Sequence, residues 1–135
     1  MSLISETMNR TVYLEAKNKY NQTPLHCACM NGQTECAKLF LENGANKEAM
    51  DLENCTPLHY ACKYGEAECV KLLLENGANK EAMNKNNLMP WHKAFYNNHS
   101  ECAKLVVKKL CKIRKQCLDN LTPLHMHANT AIYNV

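Results

Sequence analysis

The chain has 135 residues, of which 46% are apolar and 21% are charged, and its formal net charge is only +3. This length and composition fit one domain with a hydrophobic core and exclude an intrinsically disordered protein. No apolar run reaches the roughly 20 residues of a transmembrane helix, and no basic segment followed by an apolar one indicates a secretory signal. The small net charge alone favours neither nucleic acid nor an anionic membrane as a partner.

The prolines define a period along the chain. Pro24, Pro57, Pro90 and Pro123 lie 33 residues apart, and the four glycines form two pairs with the same spacing. A fixed period of this length predicts a stacked array of structural units. In chain order we expect an N-terminal partial unit or cap, two complete units, a degenerate third unit and an incomplete terminal unit, at residues 1–22, 23–55, 56–88, 89–121 and 122–135.

The second unit shows how one copy is expected to fold. Thr56 is a good helix N-cap, and Pro57 suits the first helical position, where its missing N–H has no intrahelical partner to lose. A short first helix then ends near Gly65, and a second helix with an apolar stripe ends at Gly77. The polar residues 78–88 form an extended finger that leads to the next unit. Such short helices do not persist alone in water, so we expect them to be stabilised by stacking.

These residues resemble the ankyrin repeat. Thr-Pro-Leu-His occurs at residues 23–26, 56–59 and 122–125, and Asn-Gly-Ala at 43–45 and 76–78 resembles the end of the family's second helix. The resemblance implies an all-α repeat solenoid: an ankyrin-type stack of helix-turn-helix units with projecting β-hairpin or loop fingers. It also implies a concave face of fingers and first helices that binds another protein, and no catalysis.

Several positions depart from the family pattern. Asparagine replaces the usual glycine of the finger turn, at Asn21, Asn54, Asn87 and Asn120. Asparagine tolerates a positive φ, so we expect the turn to persist. In the third unit Met89 replaces the capping threonine and Leu110 replaces the second glycine. The last helix should therefore run on through residues 112–115 or end irregularly. In the terminal unit His127 occupies an alanine position, which favours a frayed end.

The nine cysteines and six histidines do not predict a catalytic or metal site. Register accounts for most cysteines: Cys36, Cys69 and Cys102 occupy one repeat position, Cys29 and Cys62 another, and both should lie on packed helix faces. Those left over, expected to be partly exposed, are Cys27, Cys55, Cys111 and Cys117. The histidines belong to the repeat motif, where the family uses them to tie neighbouring units together, and no closed zinc-ligand spacing appears. We expect no enzyme activity, no metal and no cofactor.

A basic segment at residues 104–115 carries six Lys or Arg side chains and no acid. Such a run can bind nucleic acid, although a solvated helix face is the favoured interpretation. A nucleic-acid-associated protein is therefore one alternative. The other is a fragment, or a dimer-forming end, of a longer ankyrin array.

The candidate binding residues vary between copies while their surroundings stay fixed, so folding does not require their identities. They lie on the fingers and first helices: Lys19, Tyr20, Met30, Asn31, Leu52, Glu53, Tyr60, Lys63, Tyr64, Lys85, Asn86, Lys93, Tyr96 and Asn97. The tyrosines are the expected anchors, because aromatic residues are enriched in binding hot spots. We expect a non-catalytic protein-interaction module that is intracellular, in the cytoplasm or nucleus, and a monomer rather than a dimer. Its partner is another protein, with no small-molecule substrate.

Overall fold

The computed structural model describes residues 13–111. Within this range three pairs of helices follow one another: α1 (Pro24–Met30) and α2 (Thr34–Glu42), α3 (Pro57–Lys63) and α4 (Ala67–Glu75), α5 (Pro90–Tyr96) and α6 (Ser100–Cys111). Each first helix begins at one of the predicted prolines, so the sequence period is also the structural period. The described residues contain no β-strand, and the fingers before each first helix are loops. The predicted all-α stack is thus confirmed.

A capping box starts the first two helix pairs. Thr56 Oγ1 accepts a hydrogen bond from the His59 N–H, and the Thr56 N–H donates to His59 Nδ1 at 3.1 Å. Thr23 and His26 repeat this arrangement at α1. At α5 the Met89 side chain makes no cap hydrogen bond, but the Met89 N–H still donates to His92 Nδ1 at 3.0 Å. The third unit therefore keeps one half of the cap that its sequence lost.

The same histidines join consecutive units. Because Nδ1 of His26 accepts a backbone N–H, its Nε2 carries the proton and donates to the Cys55 carbonyl at 2.9 Å. His59 donates in the same way to the Leu88 carbonyl, also at 2.9 Å. These bonds span the whole finger of a unit and fix the start of the next helix, as the family resemblance implied.

The helices pack in two rows, which explains why none of them needs to be stable alone. The first helices lie side by side, α1 against α3 and α3 against α5, and the second helices α2, α4 and α6 follow the same order. Between the rows lies one continuous core that includes Leu25, Leu58, Leu73 and Val106, each at most 1% exposed. None of the helices in residues 13–111 is long and apolar enough to cross a lipid bilayer.

Left-handed residues end the helices and turn the fingers. Gly65 follows α3 with φ +72°, and in the third unit Asn98 takes over this role with φ +62°. Asn21, Asn54 and Asn87 also have φ near +60°, as predicted for the finger turns. Without the second glycine, α6 extends for 12 residues to Cys111, whereas α2 and α4 have nine each. The expectations for residues 112–115, Asn120, His127, Cys117 and the two terminal units fall outside the described residues.

Two cysteine predictions are wrong. Cys36 is exposed, although its register equivalents Cys69 and Cys102 are buried. Cys69 is covered by contacts from the preceding unit, and the residues one period earlier that would cover Cys36 are not among those described. Cys55 was expected to be partly exposed and is only 8% exposed, because it lies inside a finger where the Asn84 amide donates to its sulfur at 3.7 Å.

Candidate interaction surface

Each finger is rigidified by one side-chain acceptor at its start. The fingers are residues 16–22, 45–55 and 78–88, and the acceptors are the side-chain oxygens of Asn18, Asp51 and Asn84. Asp51 Oδ1 accepts the N–H groups of Glu53 and Cys55 at 2.9 and 2.8 Å. Asn18 and Asn84 hold their own fingers with the same pair of bonds. Short polar side chains at loop starts favour such turns, so the fingers need no β-ladder to keep their shape.

Neighbouring fingers are hydrogen-bonded to each other. At their tips the Leu52 N–H donates to the Tyr20 carbonyl at 3.2 Å, and the Lys85 N–H donates to the Glu53 carbonyl at 3.0 Å. Nearer the helices, Glu48 Oε2 accepts the Asn79 N–H at 2.8 Å, and Glu15 holds the preceding finger in the same way. The tips therefore form a continuous row beside the first helices. We call this row, together with the exposed side of α1, α3 and α5, the finger–helix face.

Tyr60 connects the fingers to the helices. Its hydroxyl donates a short hydrogen bond to Asp51 Oδ2 and accepts one from Gln22 Nε2 at 3.0 Å. Desolvation and the bond to Asp51 raise the pKa of Tyr60 well above its ordinary value. Its ring meets the His26 ring edge-on, with the centroids 5.4 Å apart. Of the predicted tyrosine anchors, this half-buried one is the least accessible to a partner.

The other predicted anchors are exposed. Tyr20 and Leu52 are 52% and 50% exposed at adjacent fingertips, and Tyr64 and Tyr96 are 44% and 45% exposed at the ends of α3 and α5. The Lys63 ammonium lies 5.3 Å from the Tyr64 ring centroid, within cation–π range. Lys19 lies 5.1 Å from the Tyr20 ring centroid at the first fingertip. These four apolar or aromatic side chains are left uncovered on one face.

The remaining candidates are divided between caps and exposed polar groups. The amides of Asn31 and Asn97 donate to backbone carbonyls four residues earlier, at 2.8 and 2.7 Å, and so help to end α1 and α5. The half-buried candidates on the helices are Met30, Lys63 and Lys93, and the exposed ones on the fingers are Lys19, Glu53, Lys85 and Asn86. Sequence reasoning missed the role of Gln22, Asp51 and the two capping asparagines. The recurrence of 18, 51 and 84 in one register was the available signal.

A cleft of about 480 Å³ lies between the first two fingers, and no candidate residue lines it. Its acidic side chains already hold the fingers: Glu15 and Glu48 accept backbone N–H groups, and Asp51 is bonded to Tyr60. In the described part of the chain no cluster of three or more His, Cys, Asp or Glu side chains could bind a metal ion. The cleft therefore offers no ready set of ligands.

The buried thiols pair across unit boundaries. A hydrogen bond with Cys69, together with burial, raises the pKa of the Cys29 thiol far above its ordinary value. The reciprocal bond from Cys29 lowers the pKa of the Cys69 thiol to about 7. Both side chains are 0% exposed, so the activated thiol of this pair has no contact with solvent or substrate. The pair belongs to the core.

The start of the basic segment lies on α6. Lys104, Lys108 and Lys109 are exposed there, and the acidic Glu101 lies one turn earlier. The rest of the segment, from residue 112 on, falls outside the described range. A solvated helix face accounts for these three lysines.

Residues 3–84 match the family model for ankyrin repeats, described as three copies. The chain matches no curated protein sequence. The matched residues cover more than half of the chain, and the helix pairs of residues 24–75 lie within them. Ankyrin repeats generally mediate protein–protein interaction and are typically non-catalytic. The chain belongs to the ankyrin repeat family.

Proposed function

We propose that this protein is a non-catalytic module that binds a protein partner on its finger–helix face. The observation that supports this most is the exposure of Tyr20, Leu52, Tyr64 and Tyr96 on fingers and first helices whose backbone is held by repeated hydrogen bonds. Folding does not account for uncovered aromatic side chains, whereas aromatic anchors are common in binding hot spots. A preformed face also loses little conformational entropy when a partner binds.

The extent of the face fits this role. Packed helices lie about 10 Å apart, so three first helices with their fingers span roughly 30 Å. A standard protein interface needs about 800 Å² from each partner. The candidate residues, carried by adjacent units along one row, are placed to supply such an area. We place the five units at the boundaries predicted from the sequence.

We also propose a reducing intracellular compartment, the cytoplasm or the nucleus. The described cysteines are free thiols, and proteins of oxidising compartments commonly use such cysteines in disulfides. We propose a monomer, which light scattering at micromolar concentration tests directly.

Affinity capture with the full chain tests the interaction itself. The test variant is Tyr64→Ala/Tyr96→Ala, which removes two exposed anchors without touching the Tyr60 hydrogen bonds. The control variant is Tyr13→Ala/Leu39→Ala, which removes two side chains that are 69% and 56% exposed and lie outside the candidate set. Capture from the native cell should be lost in the test variant and kept in the control, with unchanged helical circular dichroism in both. Equal capture by both variants contradicts the proposed face.

A further inference from the structure

We propose that the finger–helix face recognises an acidic segment of its protein partner. This inference rests on the proposed function and specifies the chemistry of the partner. It depends on how charge is distributed between the two rows of the stack.

The candidate side chains of the finger–helix face are predominantly basic. Four are lysines, on the first and third fingers and on α3 and α5, and the only acid among them is Glu53 on the second finger. Lys19 and Lys85 are exposed, and Lys63 and Lys93 are half-buried with their stems against the helices. Lysine stems pack on apolar surface while the ammonium group stays in water, so half-burial leaves the charge available to a ligand.

The outer surface of the second helices has the opposite balance in the first two complete units. On α2 the exposed charged residues are Glu35, Lys38 and Glu42. On α4 the same register positions are Glu68, Lys71 and Glu75, all exposed. The small net charge of the chain therefore hides two rows of opposite sign. An acidic ligand is attracted to the row of fingers and first helices and repelled by the second helices.

Two lysines on adjacent helices converge on the middle of the face. Burial raises the pKa of the Cys55 thiol in the second finger, and the nearby charges of Lys93 and Lys63 act to lower it. Both ammonium groups thus lie within electrostatic reach of the same point beneath the finger. Asp51, the acid nearest to them, has its carboxylate engaged by Tyr60 and by two backbone N–H groups. The lysines have no exposed acidic partner on their own helices.

The aromatic rings beside these lysines add an apolar contact. Lys63 lies over the Tyr64 ring, and Tyr96 occupies the equivalent position of Lys63 one unit later. A segment that alternates acidic and apolar side chains would place carboxylates on the lysines and apolar groups on the rings. Successive side chains of an extended peptide point to opposite sides at about 3.3 Å per residue. Six or seven residues would therefore span the roughly 20 Å between the outer fingers.

The test uses defined peptides with the full chain. The first probe is a fluorescein-labelled nine-residue peptide that alternates glutamate and leucine, and the second replaces each glutamate by lysine. A ten-nucleotide oligothymidylate serves as a third, non-protein polyanion. Fluorescence anisotropy at 50, 150 and 300 mM NaCl should show binding of the glutamate peptide, with a dissociation constant that rises with salt.

Matched charge reversals localise the site. Lys63→Glu/Lys93→Glu changes the finger–helix face, and Lys38→Glu/Lys71→Glu makes the same change in net charge on two adjacent second helices. At 150 mM NaCl the first variant should weaken glutamate-peptide binding about tenfold or more, because both ammonium groups contact the ligand. The second variant should change it less than about threefold, because the Debye length is only about 8 Å. Circular dichroism confirms that both variants keep their helices.

Three results would overturn the inference: binding of the lysine peptide as tightly as the glutamate peptide, equal loss in both charge-reversal variants, or tighter binding of the oligothymidylate than of the glutamate peptide. Its failure can be told apart from failure of the proposed function. If the glutamate peptide does not bind while partner capture is still lost in Tyr64→Ala/Tyr96→Ala, the interaction face stands and the acidic partner is refuted. If capture is also unaffected, both fail.

Discussion

Mild acid should destabilise this fold through the histidines that cap the first helices. In the folded chain Nδ1 of His26 and His59 accepts a backbone N–H, and Nε2 donates to a carbonyl of the next finger. A second proton on Nδ1 would place one donor against another and break the cap. Desolvation by burial acts in the same direction and lowers the pKa of both histidines from 6.5. The unfolded chain has no such restriction.

The sign and size of the effect follow from linkage. Because the folded pKa is lowered, the unfolded state binds more protons below pH 6.5, so stability is fully present above that pH and is lost as the pH falls towards the folded pKa. If a histidine stays neutral in the folded chain at pH 5.5, its contribution to the loss is about 1.4 kcal/mol. His26 and His59 together would then remove up to about 3 kcal/mol. That is a large share of the roughly 5–15 kcal/mol that stabilises a typical domain.

Urea denaturation followed by circular dichroism at pH 7.5, 6.5 and 5.5 measures this loss. The window lies above the ordinary pKa range of Asp and Glu, so histidines dominate the change. A His59→Gln variant removes one titrating group, and its stability should fall less steeply between pH 6.5 and 5.5. Imidazole NMR of the unmodified chain gives an independent readout that does not require the variant to fold. Equal stability at pH 7.5 and 5.5, or ring pKa values of 6.5 and above for His26 and His59, would refute the reasoning.

Three further predictions concern single sites. Gly44→Ala should cost about 1–2 kcal/mol because its φ is +90°, and Gly65→Ala should cost more because the added Cβ would also lie 2.5 Å from a neighbouring imidazole ring; equal losses in urea denaturation would contradict this crowding. Tyr60→Phe should destabilise the fold by about 1–2 kcal/mol, since its hydroxyl joins two fingers to α3, and a change below about 0.3 kcal/mol would show that water replaces those bonds. Under native conditions a thiol reagent should modify the exposed Cys36 and spare Cys62, whose pKa is raised well above its ordinary value by burial. Peptide mass spectrometry checks this last prediction, and equal rates at the two sites would disprove it.

The helices of this fold could be predicted because their signals are local. A threonine cap followed by proline, and a residue that tolerates positive φ, act within one turn of the chain. The same signals recur every 33 residues, so each unit confirms the interpretation of the others. Even the degenerate unit followed the rule: loss of the glycine at Leu110 predicted a longer helix, and α6 extends to Cys111.

The candidate surface was less predictable because its residues depend on neighbours from other units. Variation between copies selected Tyr60 and Tyr64 alike, yet only the second is free of hydrogen bonds to the fingers. Register predicted that Cys36 would be buried like Cys69, but burial also requires the adjacent unit that covers the position. Equivalent positions share a backbone conformation and do not share their surroundings.

By itself the sequence determined the period, the start and end of each described helix and the residues available for variation, because these depend on bonds within a few residues. The tertiary structure decided which variable side chains are uncovered, how Tyr60 and the buried histidines connect one unit to the next, and where the charges lie. A net charge of +3 says nothing about two rows of opposite sign. Those rows arise only when stacking brings side chains 33 residues apart next to one another, where Coulomb interactions and shared burial can act between them.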